Sequence, residues 1–351
     1  MSATAPGMHP GPPDSLATAS RWRNRRRRTM VALVAALAIL AAVVVAARRS
    51  PAGLPDLPVL DTARDMYDGD LGDPFVLAVP GGGYVAFGTG DWPARVPTAH
   101  SPDLITWTAG PDAMPDLPGW AAADPKNSFS WAPAVLATDG GYVLYISLRE
   151  AVTGRECIGT ASSPSPGGPY RDPTDHPLVC QRDLGGSIDP SLVGDDAGAP
   201  HLAWKNDGNC CGQPTGLWQQ ELTRDGLGVV GVAHHLLDPS QAWQGGIIEE
   251  PALVKATAGG WWLFYSGNRF DSADYATGVA YCARLEGPCQ DRSPVPFPLI
   301  PSPGQHAPGG LEVFHGSDGV LWAVYDTWNR PSRNGRFYCC RSVQIARVRS
   351  L

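Results

Sequence analysis

The chain has 351 residues, among them 41 Gly, 35 Pro, 12 Trp and 10 Tyr, and a formal net charge of −7. Residues 1–50 contain eight Arg and one acidic residue, out of 27 basic and 34 acidic residues in the whole chain. The rest of the chain therefore has 19 basic and 33 acidic residues and a net charge of about −14. So acidic a body excludes polyanion binding, and no nucleic-acid partner is expected. Aromatic residues spread among the glycines and prolines exclude low-complexity disorder and favour a turn-rich, all-β protein.

The N-terminal segment predicts that the rest of the chain is exported. A basic tail, residues 1–28, precedes 18 consecutive apolar residues from Met30 to Ala47, about 27 Å of helix and long enough to cross a bilayer. Six Arg before this run keep the tail in the cytoplasm by the positive-inside rule. We favour a signal-anchor over residues 29–47, and the alternative is a signal peptide cleaved near Ala47. The protein is therefore expected in the cell membrane as a single-pass protein with an extracytoplasmic domain, or secreted if the segment is cleaved.

All eight cysteines lie in the exported part, an even number that suits an oxidising compartment. The short separations favour disulfides between Cys282 and Cys289 and between Cys157 and Cys180. The doublets Cys210-Cys211 and Cys339-Cys340 suggest cross-links between distant segments, and the connectivity stays open. No metal site is assigned, because no CxxC or His-rich spacing accompanies the cysteines.

A repeat of nearly constant length begins after a linker, residues 48–60. Five glycines, each followed by an aromatic-rich strand pattern, are separated by 58, 57, 62 and 59 residues and lie at Gly83, Gly141, Gly198, Gly260 and Gly319. About 60 residues accommodate four strands with their loops. Residues 61–351 are therefore predicted to form a five-bladed β-propeller.

Upstream of four of these glycines, a proline opens the first strand of the repeat, a position where its missing N–H does little harm. Three of the prolines follow carboxylates, in Asp73-Pro74, Asp189-Pro190 and Glu249-Glu250-Pro251, whereas the second repeat has Trp131-Ala132-Pro133. First strands line the central channel of a propeller, so the carboxylates are expected to converge at its mouth. Converging carboxylates are typical of glycoside hydrolysis.

On these residues the chain resembles glycoside hydrolase family 43, the five-bladed propellers that cleave arabinose- and xylose-containing glycans. Further matches are Ser130-Trp-Ala-Pro-Ala134, Trp204-Lys-Asn-Asp-Gly-Asn209 and Tyr275-Ala-Thr-Gly278. The resemblance implies single-displacement hydrolysis with inversion, in which Asp73 is the general base and Glu249 the general acid. Asp189 would then orient this acid and raise its pKa by like-charge repulsion.

The sequence departs from the family pattern at two places. The family acid stands two residues before proline, which selects Glu249, whereas counting in register with Asp73 and Asp189 selects Glu250. We take Glu249 as the acid and Glu250 as the alternative, because adjacent strand residues face opposite sides. The family often has a histidine beside an axial cation in the fifth repeat, and this chain has none at the matching position. His306 or Glu312 would have to take the place of that histidine. No cofactor is therefore required, and calcium in the central channel is not assigned.

The expected ligand is an arabinose- or xylose-containing oligosaccharide or polysaccharide, held by a monomeric protein. Trp131 is the first choice for stacking on a sugar, with packing between blades as the alternative. Lys205 and Asn206 are candidate residues at the rim of the pocket, although a solvated surface explains them as well. The main alternative function is a catalytically inactive propeller that binds glycans at the cell surface.

Overall fold

The computed structural model describes residues 54–90, 93–123, 129–330, 336–337 and 340–351. The described residues contain no α-helix and three short 3-10 helices, at Arg182–Leu184, Gly208–Cys211 and Ala242–Gln244. The strands in chain order are β1 (Val59–Leu60), β2 (Arg64–Tyr67), β3 (Phe75–Ala78), β4 (Tyr84–Phe87), β5 (Thr98–Ser101), β6 (Thr108–Ala109), β7 (Ser130–Thr138), β8 (Gly141–Arg149), β9 (Glu156–Ser163), β10 (Ser187–Gly194), β11 (Pro200–Asn206), β12 (Leu217–Leu222), β13 (Val229–Leu237), β14 (Ile248–Lys255), β15 (Trp261–Gly267), β16 (Ala276–Cys282), β17 (Cys289–Asp291), β18 (His306–His315), β19 (Leu321–Trp328) and β20 (Arg341–Ser350).

Five antiparallel sheets form the blades of a propeller, as the repeat spacing predicts. Blades one to four are β3–β6, β7–β9, β10–β13 and β14–β17, and each follows the order of the chain. The turn between the first two strands of each blade contains the repeat glycine, and Gly141, at φ 127°, occupies a backbone region that suits only glycine. The first strands β3, β7, β10, β14 and β18 are neighbours around the axis.

Blade five joins the two ends of the propeller. It contains β18, β19 and β20 from the end of the chain, and both β1 and β2 pair with β20. The first strand of the unit Asp56–Leu351, β1, lies at the end of the segment predicted to be a linker. The ring is therefore closed by hydrogen bonds between N-terminal and C-terminal strands.

The core is divided among the contacts between blades, with an apolar cluster between each neighbouring pair and a sixth, small cluster between blades four and five. Strand β15 shows how alternation produces this division. Trp261 packs in the cluster shared with blade three, and Trp262 in the cluster shared with blade five. Adjacent strand residues face opposite sides, so two consecutive tryptophans serve two different interfaces.

The structure confirms the disulfides Cys157–Cys180 and Cys282–Cys289. The prediction for the doublet Cys210-Cys211 is wrong, because these two residues are bonded to each other within a 3-10 turn and join no distant segments. Cys340 is also disulfide-bonded. The predicted signal-anchor lies outside the described residues, and within those residues no helix is long and apolar enough for a membrane span.

Candidate active site

A residue with left-handed backbone occurs in, or just before, the first strand of every blade. The five φ angles lie between 46° and 60°, and the residues are Asp73, Ala132, Asp189, Glu250 and Gly310. In blades two to five the strand pairing shifts register here, as an inserted bulge residue requires. A bulge residue turns its side chain away from the regular alternation. These five positions consequently face one small axial cavity.

The cavity separates the two glutamates of blade four. Asp73, Asp189 and Glu250 line it together with Glu312, and its volume of about 20 Å³ is the size of a single water molecule. Glu249 is not among its lining residues, and its carboxylate lies instead against Lys205. Of the two glutamates, Glu250 is therefore in register with the two aspartates.

The first charged cluster, which we call the arginine cluster, consists of Asp73, Arg341 and Asp326. Arg341 donates from both terminal nitrogens to the carboxylate of Asp73 and, at 3.0 Å, to Asp326. Asp326 also accepts the backbone N–H of Asp73 at 2.7 Å, and Thr89 donates its hydroxyl to the Asp73 carboxylate. Burial acts to raise the pKa of Asp73, but the charge of Arg341 and these hydrogen bonds hold it below its usual value. Asp73 is therefore ionised at neutral pH.

The second charged cluster, the lysine cluster, consists of Lys205, Glu249, Asp207 and Asp189. The Lys205 side chain is 1% exposed, and its ammonium lies 2.9 Å from Glu249 and 3.9 Å from Asp207. Burial opposes the charge of Lys205, but the surrounding carboxylates raise its pKa. Burial raises the pKa of Asp207 to about 6 and that of Asp189 well above its ordinary value. One ammonium therefore serves three carboxyl groups, and two of them, Asp189 and Asp207, have raised pKa values.

Glu250 lies between the two clusters. Its Oε2 accepts hydrogen bonds from Ser266 at 2.8 Å and Tyr275 at 2.6 Å, and its backbone N–H donates to Asp189. Burial raises its pKa well above the ordinary value, and the nearby charge of Asp73 raises it further. The protonated carboxyl of Glu250 is within hydrogen-bonding reach of Asp73. Glu250 therefore keeps its proton beside the ionised Asp73.

The other predicted residues are dispersed around this centre. Trp131 is partly exposed on β7, one residue before the cavity-lining Ala132. Asn206 donates to the carbonyls of Leu184 and Pro214 and accepts the indole N–H of Trp218, so its amide holds loops together. Lys205, predicted for the rim or the surface, is buried.

The two substitutes proposed for the missing histidine behave differently. Glu312 faces the axial cavity, and burial raises its pKa to about 8. His306 is exposed at the start of β18, where its ring stacks on Phe337. Glu312 is therefore the residue of blade five that could approach an axial ion.

Sequence reasoning did not find Arg341 or the hydroxyl groups that hold the acids. Arg341 opens the last strand, 268 positions from Asp73, and no local pattern marks it. Asp326 and Thr89 likewise stand in unremarkable strand and loop sequences. Tyr275 stands in a segment that matches the family pattern, but that pattern does not predict its hydrogen bond to Glu250.

The model of the glycosyl hydrolases family 43 matches residues 65–350, nearly the whole propeller. The chain belongs to this family. No curated protein shows significant sequence similarity to it.

Solved structures of family 43 and related enzymes share the fold. A thermostable family-43 glycoside hydrolase is 26% identical, with a TM-score of 0.69 over 83% of this chain and 96% of the other. An endo-1,4-β-xylanase of Bacteroides thetaiotaomicron is 22% identical, with a TM-score of 0.64 over 83% and 97%. The arabinanase of Bacillus subtilis is 21% identical, with a TM-score of 0.60 over 82% and 97%.

Proposed function

We propose that this family 43 protein hydrolyses glycosidic bonds in arabinose- or xylose-containing glycans, with inversion, outside the cytoplasm. The observation that carries the proposal is the meeting, in one axial cavity, of Asp73, whose pKa is lowered, with Asp189 and Glu250, whose pKa values are raised. A base and an acid with pKa values shifted in opposite directions are what glycoside hydrolysis requires. The xylanase and arabinanase among the structural neighbours support the choice of sugars.

Asp73 is the proposed general base. Its bidentate contact with Arg341 fixes the carboxylate plane and keeps it charged. It would take a proton from the water that attacks the anomeric carbon. An inverting pair needs about 6.5–9.5 Å between its carboxyl groups to admit this water.

This requirement argues against Glu250 and leaves Glu249 as the proposed acid. Glu250 has a raised pKa, but its carboxyl is within hydrogen-bonding reach of Asp73, which leaves no room for water and sugar between the two. Glu249 belongs to the lysine cluster, where the raised pKa values of Asp189 and Asp207 favour the uptake of protons. We propose that one of these protons resides on Glu249 when the leaving oxygen approaches, and that Asp189 tunes this transfer.

A glycan-binding propeller without turnover is the alternative function. One observation favours it: Arg341, Thr89 and Glu250 together occupy about four acceptor positions of the Asp73 carboxylate, the full capacity of such a group. A base so occupied accepts a proton from water only after one donor moves. The same propeller would then bind a sugar without cleaving it.

The deciding experiment is a substrate panel with the purified propeller domain and its Asp73→Asn variant. We expect release of arabinose or xylose from aryl glycosides or from arabinan or xylan oligomers, with inverted anomeric configuration in the first product seen by NMR. Asp73→Asn should lower kcat by about 10²–10⁴-fold and still bind the oligomers. Asp68→Asn, at an exposed position of the same segment, is the control. Binding of the oligomers without any cleavage by the wild-type protein would establish the alternative.

A further inference from the structure

Blade four carries a second cleft beside the acids. It has a volume of about 400 Å³ and lies between the 3-10 helix Ala242–Gln244 and the loop from β15 to β16, residues 268–275. That loop follows the end of β15 that pairs with the start of β14, so it is on the face where the carboxylates are. Ligand pockets in proteins have volumes of about 300–1,000 Å³. The cleft is thus large enough for a small ring, unlike the axial cavity.

The walls of the cleft suit a sugar. Trp243 is partly exposed, its ring stacks at 15° on Tyr265, and its indole N–H donates to the carbonyl of Ser293 at 2.8 Å. The indole is therefore fixed before any ligand arrives, which reduces the entropy lost on binding. Asp274 adds an exposed carboxylate. A flat apolar ring beside a hydrogen-bond acceptor matches the C–H face and hydroxyls of a pentose.

Tyr275 connects this cleft to the acids. Its hydroxyl donates to Glu250 at 2.6 Å, and the same residue, only 4% exposed, lines the cleft. A single side chain thus separates the cleft from the axial carboxylates. A ligand that extends from the acids across blade four would meet Trp243 next.

We propose that the cleft of Trp243 and Asp274 binds a further sugar ring of the glycan whose scissile bond lies at Asp73 and Glu249. This inference rests on the proposed function and narrows its substrate class. The preferred substrate is then a chain of several sugars, and a glycoside of one sugar leaves the cleft empty.

The test fills the cleft without disturbing the core. Ala273 is an exposed wall residue, and Ala273→Trp places an indole in the space. The matched control is Ala197→Trp, at an exposed alanine of the β10–β11 turn. Rates are measured on an aryl monoglycoside and on arabinan and xylan oligomers from disaccharide to hexasaccharide. Trp243→Ala, accompanied by its unfolding curve, removes the wall itself.

For the wild-type protein we expect kcat/KM to rise with oligomer length. Ala273→Trp should lower kcat/KM for the hexasaccharide by about tenfold, through KM, and leave the monoglycoside within about twofold. An equal loss on both substrates, or no loss on either, overturns the inference. If the wild-type protein cleaves nothing, calorimetric titration with the hexasaccharide decides. Binding that Ala273→Trp abolishes supports the cleft although hydrolysis has failed, and binding that Ala273→Trp leaves unchanged, or no binding at all, overturns it.

Discussion

The arginine cluster and the lysine cluster solve the same electrostatic problem in different ways. Each places one cation, largely or fully buried, among carboxyl groups at the propeller axis. The guanidinium of Arg341 is always charged and fits two carboxylates with a rigid fork, so Asp73 is held ionised. The ammonium of Lys205 is a compact charge shared by three carboxyls, and two of them, Asp189 and Asp207, have raised pKa values. The difference shows how one axial site holds carboxyl groups with lowered and with raised pKa values, as the proposed base and acid require.

Removal of Arg341 is expected to have the largest effect. Arg341→Met leaves two buried carboxylates, Asp73 and Asp326, without their cation. We expect a loss of about 3–5 kcal/mol in the free energy of unfolding, measured by urea denaturation at pH 7. Arg347→Met, on the exposed part of the same strand, is the control. A loss no greater than that of the control would show that Arg341 does not neutralise the base.

Exchange of the two glutamates for glutamine separates their roles. Glu249→Gln should lower kcat/KM by about 10²–10³-fold for a poor leaving group and much less for an activated nitrophenyl glycoside, because a good leaving group needs no proton. Glu250→Gln should reduce both rates alike, since it changes the surroundings of Asp73. The reverse pattern would make Glu250 the acid.

Removal of Lys205 is expected to destabilise the protein less than removal of Arg341. In Lys205→Met, protons can take the place of the lost ammonium, because Asp189 and Asp207 already have raised pKa values. We expect a loss of about 1–3 kcal/mol at pH 8 that becomes smaller at pH 5. Equal losses at the two pH values would show that the lysine cluster takes up no proton.

Glu312, which lines the axial cavity, should make the stability of the protein depend on pH. Its folded pKa of about 8 lies above the ordinary value, so the folded protein binds a proton that the unfolded chain releases. Stability from this group is complete below about pH 4.5 and is lost as the pH rises toward 8. Glu312→Gln should therefore gain about 1 kcal/mol per pH unit relative to the wild-type protein between pH 5 and pH 8 in urea titrations. A parallel pH profile for the two proteins would contradict this assignment.

Chelation is expected to have the smallest effect. We predict that the function requires no metal, because the two clusters supply their own cations. Rates on the best substrate should be the same within about twofold before and after dialysis against EDTA. A large loss restored by calcium would show instead that an axial ion holds Glu312 and Asp189.

The sequence predicts the parts of this site that repeat. Glycine spacing marks the five blades, and Asp73 and Asp189 are recognised because each stands before a proline at the same point of its repeat. No sequence pattern identifies the residues from distant blades that contact these acids, since the pairing of Arg341 with Asp73 arises only when the ring closes. The two glutamates were ambiguous for a local reason. Strand alternation shows that Glu249 and Glu250 diverge, whereas the φ of 53° at Glu250 shows which one enters the channel.

Strand β20 links ring closure to chemistry. It pairs with β1 and β2, and its first residue is Arg341, which holds Asp73. A ribosome must therefore complete the last strand before the base has its charge partner. A chain shortened by a premature stop codon before residue 341 would lack both the strand that closes the propeller and the cation that holds Asp73.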